Sequence, residues 1–218
     1  MDQQVKDELT NHRLVPVIVL DDVAAARGLG EALVAGGLPI AEITLRTPSA
    51  MSVLGVMAQD RSLLVGAGTV LDVEQVERAA EAGARFIVSP GFDADVVLRS
   101  HELGMLAIPG VATATEVQSA LRAGARLLKF FPAGPLGGTP ALHALAAPFP
   151  GASFVPTGGI AAGDLVSYLQ LSAVAAVGGS FMVPSSALAQ GDFDTITHRV
   201  ADAVAIVGRA RTPRGDSS

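Results

Sequence analysis

The chain has 218 residues, 50% of them hydrophobic and 17% charged, with a formal net charge of -6 and no cysteine. That balance excludes a disordered chain, a polybasic face for nucleic acid or anionic membrane, and any disulfide, thiolate metal site or cysteine nucleophile. The length suits one large α/β domain, expected over residues 1–210, with RTPRGDSS at 211–218 as a polar tail.

The first segment, MDQQVKDELTNHRLVPVIVL, places a short helix within residues 2–12 ahead of the first apolar run. It puts acidic and polar residues where a secretory leader has a basic and then an apolar region, so the protein is expected in the cytoplasm. No run approaches the roughly 18 uninterrupted apolar residues of a membrane span.

Eight short apolar runs follow in order, at 15–20, 40–45, 63–65, 86–88, 106–108, 127–130, 154–155 and 174–177. Between them lie segments such as VEQVERAAEAG, DADVVLRSHELG and ATEVQSALRAG, whose apolar residues recur at helical spacing and which end on glycine. DFDTITHRVADAVAIVG closes the series with Ile196, Val200, Val204 and Val207 on one helical face. Strands alternating with helices predict βαβ units and a parallel sheet covered on both faces.

A weak internal repeat agrees with this. EAGARFIVSPG (81–91) and RAGARLLKFFPAG (122–134) share a helix end, a Gly turn, a strand and a proline at the strand's C-terminal end, and VAGGLPIAEITLRTP (34–48) is a looser copy. Eight units in this length favour a (β/α)8 TIM barrel with an N-terminal helix over an open doubly wound sheet, the alternative that periodicity alone leaves open.

In a barrel the chemistry collects at the C-terminal strand ends. There the sequence offers Glu42, Thr44 and Arg46 in AEITLRT, Thr69 in GAGT, then SPG, IPG, Lys129, PTGG and GGS. Lys129, inside LLKFF, is the anomaly. Among Leu and Phe an ammonium loses hydration, which favours the neutral amine, and a neutral amine forms an imine with a ketone. The plainer alternative is a lysine that snorkels out of an edge strand.

Glu42 is equally out of place between Ala41 and Ile43. It suits an acid/base that serves the imine, or else a structural salt bridge with Arg46, four residues on along the same strand face. Arg46 could also hold a substrate carboxylate in its two-pronged guanidinium. Gly158-Gly159 and Gly178-Gly179 follow the last two runs, where barrels hold phosphate on backbone N–H groups, and Ser180 could add a hydroxyl. His12, His101, His143 and His198 have no metal-ligand spacing, and GAGTV lacks the third glycine of a dinucleotide loop. Neither a metal nor a cofactor is expected.

Taken together, AEITLRT, GAGTVL, IVSPG, IPGV, LKFFPA, PTGGI and GGSFMV resemble, in order and spacing, the bacterial KHG/KDPG aldolases, over about residues 14–184. The resemblance implies a metal-independent class I aldolase on a (β/α)8 barrel, usually a homotrimer. It implies a phosphorylated keto-acid substrate, 2-keto-3-deoxy-6-phosphogluconate, cleaved to pyruvate and glyceraldehyde 3-phosphate, with 4-hydroxy-2-oxoglutarate as a further candidate. It implies Lys129 as the Schiff-base lysine, Glu42 as acid/base, Arg46 and Thr69 on the pyruvate carboxylate, and Phe131 packed against the substrate. Thr157 would meet substrate hydroxyls, and Gly158, Gly159, Gly179 and Ser180 the phosphate.

Two departures from the family's pattern stand out: Gly134-Pro135 where many members carry Glu after FPA, and Phe181-Met182 where a Trp often follows GGS. Three rival readings are an aldolase for the galactonate epimer, a phosphate-binding barrel isomerase or synthase using Lys129 only for its charge, and a non-catalytic assembly subunit.

Overall fold

Apolar β-type runs become strands and Ala-rich amphipathic segments become helices, in alternation. The computed structural model describes residues 2–211; 212–218, the rest of the expected polar tail, lie outside the described residues. Helix α1 (Asp2–His12) leads into β1 (Leu14–Ile18), α2 (Ala25–Ala35), β2 (Ile40–Thr44), α3 (Ala50–Met57), β3 (Leu64–Gly68), α4 (Val73–Glu81), β4 (Phe86–Val88), α5 (Ala94–Glu102) and β5 (Leu106–Ile108). There follow β6 (Gly110–Val111), α6 (Ala114–Arg122), β7 (Leu127–Phe130), α7 (Gly138–Ala146) and β8 (Ser153–Pro156). A 3-10 turn (Ala162–Asp164), α8 (Leu165–Leu169), β9 (Val177–Gly179), α9 (Ser185–Gln190) and α10 (Phe193–Arg211) complete the order. Arg211, assigned to the tail from sequence, is thus the last residue of a helix.

Every strand pair is parallel. Six strands form a curled sheet in the order β5-β4-β3-β2-β1-β9, and three more the order β6-β7-β8. Pro109 alone separates β5 from β6, and its carbonyl accepts a hydrogen bond from Lys129 N at 2.9 Å. Single bridges, Phe154 with Val174 and Thr157 with Gly178, connect β8 to the chain at and before β9.

The strands are buried on both faces, as near-continuous apolar runs require. The core is one cluster in which Phe86, Phe130 and Phe154 are the bulkiest fully buried side chains. Helix entries are capped by short polar side chains: Asp72 accepts from Gln75 N at 2.8 Å, and Asp93 from Asp95 N and Val96 N at 2.9 and 3.0 Å. On α10, Ile196, Val200 and Val207 are buried as predicted, but Ala203 rather than Val204 completes the face, Val204 being only partly buried.

Five strands differ from their predicted bounds, β1, β2 and β8 by one or two residues at an end and β3 and β9 by more, and β6 has no predicted counterpart. β3 runs on to Gly68, because Gly66 and Gly68 lie where the Phe86 ring and the Glu42 side chain occupy the space a Cβ would need. Glycine's poor strand propensity hides that in the sequence. The last strand is Val177–Gly179 instead of 174–177, so Gly178-Gly179 lies within the strand rather than after it, with Gly179 opposite Pro16 and Gly178 against Thr157.

Candidate active site

β7 is the middle strand of its sheet, flanked by β6 and β8, with Lys129 opposite Gly110 and Val155. Alternation along the strand sends Leu128 and Phe130 to one side, where both are fully buried, and Lys129 to the other. Lys129 is only 5% exposed, so it does not snorkel from an edge. Its Nζ donates to Glu42 Oε1 at 3.4 Å and stands 5.1 Å from the centroid of the Phe131 ring.

Glu42 is 2% exposed and lies on β2 between Val17 of β1 and Gly66 of β3. Its carboxylate lies over Gly68, the only kind of residue that leaves room for it there. The expected alternative pairing with Arg46 is not formed. β2 ends at Thr44, and a tight turn closed by Arg46 N donating to Thr44 O at 2.8 Å carries Arg46 off the strand face and outward. An ion pair as dry as Lys129–Glu42 is not explained by stability, because desolvating both charges offsets most of their attraction. Its location suggests chemistry instead.

Lys129 forms part of the wall of a 290 Å³ cavity at the C-terminal strand ends. Arg46, Thr69, Phe131, Thr157, Gly158, Gly159, Gly179 and Ser180 line the same cavity; of the residues offered a role from sequence, Glu42 reaches it only through Lys129, and Gly178 stays in the strand against Thr157. Val17, Thr44, Pro90 and Ile160 complete the wall. Thr44, Pro90 and Ile160 belong to strand-end motifs already noted, whereas Val17 is apolar and carries no chemical signature in sequence. The charged side chains of the wall, Arg46 and Lys129, are both cationic, which suits an anionic ligand.

Local backbone aims these groups. Thr69, directly after β3, has φ of 59°, a left-handed conformation that costs a β-branched residue on the order of 1 kcal/mol and is kept where the surroundings require it. Gly158 and Gly159 have φ of 92° and 72°, so the turn after β8 is open to glycine and little else. The segment after Lys129 docks on that turn: Ala133 N donates to Thr157 O and Gly134 N to Gly158 O, each at 2.8 Å. A side chain at Gly134 would run into the Gly159 carbonyl, so the loop packs this closely only with glycine at that position.

A larger hollow of 460 Å³ lies at the opposite strand ends, against Ser153, Phe149 and Leu171. His143 is its one titratable lining side chain, so it offers no comparable chemistry. Among the described residues no group of three or more His, Asp or Glu could hold a metal ion, and no helix is long and apolar enough to cross a membrane.

The family model for KDPG and KHG aldolases matches residues 5–199. A 2-dehydro-3-deoxy-phosphogluconate aldolase of Treponema pallidum is 44% identical over 203 residues, covering 93% of this chain and 97% of that protein. The KHG/KDPG aldolase of Escherichia coli K12 is 41% identical, covering 90% and 92%. The crystal structure of a KDPG aldolase from Legionella pneumophila, with pyruvate captured at low pH as a covalent carbinolamine intermediate, superposes with a TM-score of 0.88 at 38% identity. It covers 92% of this chain and 98% of that one.

Proposed function

This chain belongs to the KDPG and KHG aldolase family, and on that premise we propose how the residues of its cavity divide the work. The protein is a class I pyruvate aldolase that cleaves 2-dehydro-3-deoxy-6-phosphogluconate to pyruvate and glyceraldehyde 3-phosphate through a covalent Schiff base. The assignment of roles is carried by one observation: a buried lysine beside a buried glutamate, the lysine opening into a cavity whose other charged group is an arginine.

In our reading Lys129 passes a proton to Glu42, and the resulting neutral amine attacks the C2 ketone and forms a carbinolamine. Glu42, relaying protons, helps expel the C2 oxygen as water, leaving a protonated imine. Transfer of the C4 hydroxyl proton to the Glu42 carboxylate then breaks the C3–C4 bond, and the electron pair flows to the imine nitrogen as the aldehyde departs. The enamine left on Lys129 takes a proton at C3, and water hydrolyses the resulting imine to free pyruvate and restore the amine.

Arg46 and Thr69 hold the carboxylate, Phe131 packs against the substrate, and Thr157 meets its hydroxyls. Gly158, Gly159, Gly179 and Ser180 hold the phosphate at the far side of the cavity. What supports this division is that all eight line the one cavity into which Lys129 opens.

We further read the two sheets as one closed (β/α)8 barrel with an N-terminal helix. The short gap at Pro109 between β5 and β6, and the bridges from β8 to Val174 and Gly178, support that closure. A single domain, a homotrimer and a cytoplasmic location complete the proposal; the trimer is checked by sedimentation velocity.

The test of the lysine is reduction by borohydride in the presence of pyruvate. Intact mass is expected to rise by one reduced pyruvate adduct, mapped by peptide sequencing to Lys129. No adduct at saturating pyruvate sinks the assignment.

A further inference from the structure

Arg46 is exposed and has no carboxylate within ion-pair distance among the described residues, so a flexible guanidinium at the cavity mouth needs some other tether. Thr44 supplies it. This side chain, 1% exposed, donates through its hydroxyl to the carbonyl of Ile18 at 2.8 Å, and its oxygen accepts from Arg46 Nε at 3.3 Å. A hydroxyl has one proton to give, and here it is spent on Ile18, the last residue of β1. Thr44 therefore has no donor left for a substrate, and its oxygen faces Arg46 instead.

We propose that Thr44 is a positioning residue that fixes the Arg46 guanidinium to the backbone of the neighbouring strand, with both terminal nitrogens left free to grip the substrate carboxylate. The proposal rests on the reading of Arg46 as the carboxylate-binding group. Arg46 is tied to Thr44 twice, by the turn hydrogen bond from its own N–H to Thr44 O and by Nε to Oγ1. The two bonds together restrain the backbone and the Nε of a residue whose side chain otherwise loses considerable rotamer freedom on binding. Since Nε bonds to Thr44, the two-pronged edge formed by the terminal nitrogens is the part still free to meet a carboxylate.

A purely structural role, satisfying the buried Ile18 carbonyl, would weaken the protein for every ligand alike. The positioning role weakens it only for ketones that carry a carboxylate. The experiment measures borohydride trapping on the full chain as a function of ketone concentration, with pyruvate and with hydroxyacetone, which lacks the carboxylate.

Thr44→Val is expected to raise the half-saturating pyruvate concentration about tenfold, the usual scale for one hydrogen bond to a charged group, and to leave hydroxyacetone unchanged. Thr44→Ser is expected to restore the pyruvate value. Added to Arg46→Ala, Thr44→Val should cost nothing further. The ratio of the two ketones, taken on one preparation, is independent of how much of the protein is folded, and Thr44→Ala provides a second variant if the valine is not accommodated.

Equal shifts for both ketones, or a pyruvate shift that persists in the Arg46→Ala background, overturn the proposal. If Arg46→Ala weakens pyruvate while Thr44→Val does not, the positioning role alone fails. If Arg46→Ala has no effect, the carboxylate reading fails and takes the proposal with it.

Discussion

Lys129 Nζ lies 3.4 Å from Glu42 Oε1 although the two residues are 87 positions apart, and neither side chain is more than 7% exposed. Two strands from different sheets are thus positioned so that one amine and one carboxylate meet away from water at the base of a cavity. Glu42→Gln keeps the size of the side chain and an oxygen that can still accept from Lys129, but removes the group proposed to carry protons. Turnover is expected to fall by a factor on the order of 100 to 10,000 with the circular dichroism spectrum unchanged. Turnover equal to the parent's would return Glu42 to a structural role.

The alternation of strand and helix is legible in the sequence because each element obeys its own period, and Lys129 and Glu42 are legible because each interrupts an apolar strand. Chain direction after a strand is not. Arg46 reads as a same-face neighbour of Glu42, yet the turn at Thr44 takes it elsewhere, and that turn has no Gly or Pro to announce it. Gly178-Gly179 reads as a loop because glycine usually marks one. Its place inside a strand depends on Thr157 and Pro16, which only the assembled fold brings alongside. Val17 belongs to the cavity wall through strand register alone, so no single-residue signal could identify it.

Gly68 is expected to be as necessary as the carboxylate it faces. A methyl group at that position would collide with the Oε1, Cγ and Cδ atoms of Glu42, the three nearest neighbours it would have. Gly68→Ala should therefore displace Glu42, slow turnover at least about tenfold, and destabilise the fold by about 1–3 kcal/mol through overpacking. Removing the obstruction tests the cause: in a Glu42→Ala background the stability cost of Gly68→Ala, measured by denaturant unfolding, should largely vanish. A cost that stays the same would place the strain elsewhere.

Ser180, exposed at the cavity rim just after β9, allows the proposed phosphate site to be tested apart from the chemistry proposed at Lys129. Losing one hydrogen bond to a charged phosphate costs about tenfold in affinity. Ser180→Ala should raise KM for the phosphorylated substrate by about that factor. Borohydride trapping of pyruvate, which has no phosphate, should be unaffected. If trapping of pyruvate weakens in parallel, Ser180 acts on the reacting end and the phosphate assignment is wrong.

The start of α6 provides a stability prediction with a definite pH dependence. Glu116 Oε2 accepts from Ala112 N, Thr113 N and Thr113 Oγ1 at 2.8, 2.8 and 2.9 Å, while Thr113 Oγ1 accepts from Glu116 N at 3.4 Å, a reciprocal cap. Partial burial is the largest single influence on the carboxyl and pushes its pKa up, but the three hydrogen bonds together outweigh it and hold the pKa below the ordinary 4.5. A carboxyl whose pKa is lowered by folding stabilises the native state above its unfolded pKa, and that contribution fades as the pH falls through the folded value. Glu116→Gln should therefore melt below the parent at neutral pH, with the gap narrowing once the pH drops under 4.5. Thr113→Ala, which removes the other half of the cap, should cost about 1 kcal/mol at neutral pH. Thermal unfolding midpoints of the parent and the Glu116→Gln variant across the acidic range settle the sign: a gap that is constant, or that widens in acid, rules out the cap as the source.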